Sequence, residues 1–172
     1  MTTPITVRIE DVERALEIAR FHFRALQAEY EKVPPDQDRL ALEAYFTACL
    51  HLGGAVFYTL VSSDQDPAST FRDKVASWKA ELRTTRPADY KFFFRMVEHR
   101  DTAVLAATVN TYVSLGPALD IVASWGLPFS HIEAPDRAPV MISKLKLDGA
   151  EVIPLCERFL RMLDELVQHC KA

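Results

Sequence analysis

The stretch ALEAYFTACLHLGGAVFYTL, residues 41–60, decides the fold class. Leu42, Tyr45, Cys49, Leu52, Val56 and Leu60 recur at steps of three and four, the period of one helix face. Phe46, Leu50 and Phe57 widen that face, so this helix is expected at the centre of a bundle. Gly53 and Gly54 fall in its middle. Each costs about 1 kcal/mol relative to alanine inside a helix. The expected return is the close approach of a second helix. Thr47, His51 and Thr59 interrupt the apolar run, and the segment is read as a core helix rather than a membrane span.

Similar stripes flank it. Upstream, Ile9, Val12, Leu16, Ala19, Phe23, Leu26 and Tyr30 form one face of a long helix that VPPDQD (33–38) ends, because proline cannot continue the hydrogen-bond ladder. Downstream, SSDQDPAST (62–70) is a turn, and Phe71, Val75, Trp78 and Leu82 mark a third helix that TTRPAD (84–89) stops. A fourth helix carries YKFFFRMVEHRDTAVL (90–105), with Phe93, Val97, Arg100 and Val104 on one side. The pattern then changes to alternation. ATVNTYV (107–113) and APVMISKLKL (138–147) read as two strands of an antiparallel ribbon, the second running into Asp148-Gly149. The proline-rich link at 114–137 holds Trp125 and Phe129, and a short helix is expected near Pro117–Ser124. Val152, Leu155, Phe159, Met162, Leu166 and Cys170 define a closing helix. The expectation is one mainly α domain over residues 1–172. It is an up-and-down bundle of about five helices with a small antiparallel β-ribbon inserted before the last.

Composition narrows the function classes. The chain has 172 residues, 49% hydrophobic and 26% charged, which suits a compact core. Its net charge of −4 argues against a protein whose main task is wrapping duplex nucleic acid. Cys49, Cys156 and Cys170 are odd in number and lack CxxC spacing, which speaks for buried thiols over a disulfide framework or zinc site. No secretion signal is visible at the N-terminus, so a cytoplasmic location is expected. No glycine-rich phosphate loop and no HExxH occurs, so no cofactor and no metal is expected.

The densest chemistry lies at Arg95, Glu98, His99, Arg100 and Asp101. On a continuous helix the stem of Arg100 packs on the core, and its guanidinium needs a partner. Asp101 and Glu43 are the candidates. Arg83, Arg86, Lys91 and Arg95 form a looser basic set that could hold an anion. Arg20 and Arg24 read as an exposed pair on the first helix, where Phe23 belongs to the core.

The order of parts resembles the HEPN-like bundles, the "higher eukaryotes and prokaryotes nucleotide-binding" superfamily. The likeness rests on ALEAYFTACLHLGGAVFYTL, TFRDKVASWKAEL, an aromatic-led helix reaching EHRDTAVL, and LDGAEVIPLCERFLRMLDELV, together about two thirds of the chain. Many members of that superfamily are metal-independent ribonucleases with an R-x4-6-H signature, and dimers bring two copies together. Histidine can move a proton near neutral pH, and arginine can neutralise charge on a phosphate. Here Arg100-Asp101 occupies the Arg-polar place, but Leu105, Ala106 and Ala107 stand where the histidine belongs. Counting from Arg95 gives Arg100, Asp101 and Thr102. The signature is absent, so the expected function is a non-catalytic interaction module, homodimeric, with RNA or protein as further partners and no membrane. Two alternatives stay open. One is a divergent ribonuclease using Arg95, His99 and Arg100. The other is a small-ligand binder under the 114–137 loop, lined by Trp125 and Phe129 and drawing on Arg100 and Asp101.

Overall fold

The computed structural model describes residues 8–32, 36–62, 71–114, 120–123 and 140–172. Trp125, Phe129 and His131, and with them the ligand-pocket reading of the 114–137 link, lie outside the described residues. The fold is mainly α. In chain order the elements are α1 (Ile9–Glu31), α2 (Arg39–Ser62), α3 (Phe71–Thr85), α4 (Pro87–Glu98), α5 (Arg100–Ala106), β1 (Thr108–Ser114), β2 (Asp120–Ala123), β3 (Val140–Leu147), β4 (Ala150–Glu151) and α6 (Val152–Lys171). The α1 stripe buries Val12, Leu16, Ala19, Leu26 and Tyr30. The α6 stripe buries Val152, Phe159, Met162, Leu166 and Cys170. Both pack on α2, whose Leu42, Phe46, Cys49, Leu50, Val56, Phe57 and Leu60 are core.

The glycine pair does what its position suggested. A Cβ on Gly53 would stand 2.5 Å from Cε1 of Phe159 and 3.0 Å from Cδ1 of Leu163, so α6 rests on bare α2 backbone. A Cβ on Gly54 would instead stand 3.2 Å from Cδ of Arg100, the movable stem of a long side chain. Phe93 bridges the remaining layers, with its ring 5.1 Å from Trp78 and 5.7 Å from Phe159, centroid to centroid.

Three local features depart from the expected bundle. The fourth helix is two helices, broken at His99 (φ −115°, ψ 26°). No proline or glycine signals this break. At it, Arg100 Nη1 donates to the Val97 carbonyl at 3.0 Å, a side chain serving a helix-end acceptor. The ribbon is part of a four-stranded sheet, order β2-β1-β3-β4. β1 and β3 pair antiparallel from Thr108↔Lys146 to Ser114↔Val140. Residues 120–123, expected within a short helix, form β2 against β1. Ile121 and Val122 suit a strand, and β1 offers an edge.

Polar anchors join these parts. Glu29 is only 3% exposed. Its carboxylate accepts from the Asp38 backbone N–H and from Lys32 Nζ, closing the α1–α2 turn. Asp38 in turn caps α2, its Oδ1 accepting from the N–H of Leu40 at 2.8 Å. Tyr30 Oη donates to the Leu145 carbonyl at 2.6 Å, tying α1 to β3. Asp148 (φ 52°) and Gly149 (φ 79°) make the left-handed two-residue turn between β3 and β4.

Gly53→Ala should cost about 1–3 kcal/mol by overpacking against Phe159, more than the gain in helix propensity returns. Gly54→Ala should be far milder, because the Arg100 stem can move. Urea denaturation midpoints of the two variants check this, and equal destabilisation would contradict it. Burial pushes the Tyr30 phenol well above its usual 10.0. The folded state therefore keeps that proton where the unfolded chain loses it. Its contribution is full below about pH 10 and disappears as pH rises through the folded value. Tyr30→Phe should cost about 1–3 kcal/mol at neutral pH, because the Leu145 carbonyl loses its donor. It should also flatten the alkaline decline of stability relative to the native chain.

Candidate functional site

The residues of the charged knot separate in space. Arg95 is exposed on α4 and ion-pairs with Asp148 in the β3–β4 turn. The hydrogen bond between them raises the arginine and holds the carboxyl below its usual range. His99 is exposed at the α4–α5 junction. Arg100 runs the other way, half-buried against α2. Its stem lies over Gly54, and its guanidinium carbon is 5.3 Å from the centre of the Tyr58 ring. Among the described residues no carboxylate comes within ion-pair distance of it. The expected partners are engaged elsewhere: Glu43 with Arg39 at 3.2 Å, and Asp101 with His51 Nε2 at 3.3 Å. The Val97 carbonyl and the π-face of Tyr58 serve in their place. The packing expectation for Arg100 thus holds for the stem, with a different partner for the charge. Arg95 and Arg100 do not share surroundings.

His51, Gly54 and Tyr58 lie on one flank of α2, three and four residues apart, and α5 docks along it. Beside that flank runs a second line of side chains. Leu40, Ala44, Thr47, His51, Ala55 and Tyr58 follow one another at steps of four and three. All but the half-buried Thr47 are exposed, Leu40 by 72% and Tyr58 by 40%. This outer stripe holds no lysine, arginine, aspartate or glutamate. Leu40, Ala44 and Ala55 thus face outward from α2, while His51 and Tyr58 border α5. By length and composition Arg39–Val61 also passes as a candidate membrane span, as a bundle's core helix can. Much of that span is bundle core.

The basic set around the third helix break is partly neutralised. Arg86 pairs with Glu165 of α6 at 2.6 Å and with Asp89 at 3.4 Å. Asp89 also accepts from Arg158, which holds its carboxyl below the usual range. Arg158 lies 4.3 Å from the Phe92 ring centre. With Arg95 committed to Asp148, two of the four cations proposed for an anion have acidic partners. A groove of about 220 Å³ opens beside this network, over Trp78 and Leu82, with Glu81, Arg86, Glu165 and His169 at its edge. Periodicity could not reveal it, because it lies between the exposed flanks of two separate helices. Arg20 likewise is no free surface cation: it joins α1 to α6 through Asp164 at 2.8 Å.

In comparison with known proteins, no family model matches the chain, and no curated protein or solved structure matches it either.

Arg100→Ala should lower stability by about 1–2 kcal/mol, through lost stem packing and an unserved Val97 carbonyl. Arg95→Ala should leave it nearly unchanged, since both partners of that ion pair stand in water. Thermal melts of the two variants measure the contrast. Equal effects would mean that Arg100 does not anchor α5.

Proposed function

We propose that the protein is a non-catalytic, cytoplasmic interaction module of the HEPN-like kind, and that it works as a homodimer. The observation that supports this is the charge-free outer stripe of α2. A helix apolar all round is normally buried all round. The stripe also suits a second copy of itself. Leu40 and Tyr58 stand equally far along the chain from Cys49, with Ala44 and Ala55 inside them. About a two-fold axis at mid-helix, Leu40 of one copy would meet Tyr58 of the other, and the alanines would fall within one residue of each other. Crossing helices are closest at the centre and diverge toward their ends. Small inner and large outer side chains keep such a pair in contact throughout. His51, the imidazole on the stripe, is tied sideways to Asp101 of α5.

A second reading, a divergent metal-independent ribonuclease, has one observation in its favour. Asp101 holds an imidazole, His51, that comes from α2 and not from the motif position. This would put a carboxylate-paired histidine next to the start of the helix that carries Arg100.

Light scattering at micromolar concentration should find a dimer. Ala55→Glu should convert it to a monomer that keeps its helical circular dichroism, since residue 55 is exposed in the single chain. A native chain that is monomeric would remove the homodimer. RNA cleavage that is present in the native chain and lost in both His51→Ala and Arg100→Ala would favour the nuclease instead.

A further inference from the structure

We infer that the core carries a latent covalent cross-link, in which a disulfide oxidant joins Cys49 of α2 to Cys156 of α6 without unfolding the bundle. Both side chains are fully buried, at 0% exposure, and they interact across the α2–α6 seam. The seam explains why they can meet. Gly53 is one helical turn beyond Cys49, and Phe159, which fills the place of the missing Gly53 side chain, is about one turn beyond Cys156. A disulfide requires Cα atoms roughly 4.4–6.8 Å apart, closer than most packed helices come. A glycine contact next to the pair brings the two backbones together where two short side chains face each other. Contact with Cys49, added to burial, pushes the Cys156 thiol well above its usual range, so that thiol rests protonated and inert. Cys170 is buried too, but its neighbourhood is the α3 side, where Lys74 Nζ donates to its backbone carbonyl at 3.1 Å.

The chemistry balances with glutathione disulfide as the oxidant. One thiolate attacks it, forming a mixed disulfide and releasing a reduced glutathione. The second cysteine thiolate then displaces the other glutathione. The two thiols lose two electrons and two protons, and two reduced glutathiones leave. Because both sulfurs are buried, the first step waits for a local opening of α6 on α2, so the link records oxidation slowly. Once formed it closes a loop of more than about 100 residues, and loops of that size give disulfides their largest effect.

The test uses the full chain, equilibrated with glutathione disulfide and, in parallel, refolded from urea in a mixed glutathione buffer so that burial is no barrier. Free thiols titrated in denaturant should fall from three to one. Peptide mapping should place the bridge between residues 49 and 156. The melting temperature should rise by on the order of 10 °C and return on adding dithiothreitol. Cys170→Ala should behave in the same way, and Cys49→Ala should form no internal bridge. Persistent mixed disulfides, three free thiols after refolding, or a bridge that uses Cys170 would each overturn the inference.

Discussion

Phe159 of α6 rests on the bare backbone of α2 at Gly53, and most of the molecule is arranged around that contact. Because α6 comes so close, Cys156 meets Cys49, and Phe93 reaches across to Phe159 and Trp78. The same closeness leaves α2 at the centre of the bundle, with α1 and α6 on its core side and α5 lying along its Gly54–Tyr58 flank. Gly54 uses the same freedom differently: it makes room for the stem of a charged side chain.

That second use gives Arg100 its character. A guanidinium laid over a glycine and an aromatic ring keeps its charge near solvent while its methylenes pack. The helix breaks at the residue before it, and α5 is the result. The ionisable groups around it are shared out between neighbours. Asp101 goes to His51, Arg95 to Asp148, Arg86 to Glu165 and Asp89. A cluster that is dense in sequence thus becomes a set of separate anchors joining α4 to the β-turn, α5 to α2, and the α3–α4 junction to α6. What stays exposed and uncharged is the outer side of α2, from Leu40 to Tyr58.

The helices were legible because burial repeats every three or four residues, and the stripes read from Val12 to Tyr30 and from Val152 to Cys170 are the buried ones. Pairing of β1 with β3 followed from alternation, and the Asp148-Gly149 turn from residues that tolerate a positive φ. Partner choice was not legible. Nothing local says that Arg100 would take a carbonyl and a ring rather than Glu43, since that depends on which face α2 turns toward α5. The break at His99 has no proline or glycine to announce it. DIVA, 120–123, is too short for its period to tell strand from helix, and in the fold it pairs with β1. Glu29 reads as an ordinary polar residue at a helix end, and only the folded turn shows it buried.

The claim on which the functional reading rests is that a second copy covers the outer stripe of α2. Hydroxyl-radical footprinting of Leu40 and Tyr58 across a range of protein concentrations addresses it most directly, because these two side chains are exposed in the single chain. Oxidation of both residues should fall together as concentration rises, and Ala55→Glu should abolish that protection. Labelling that stays constant from dilute to concentrated solution would show that the stripe faces water and that self-association, if any, lies elsewhere.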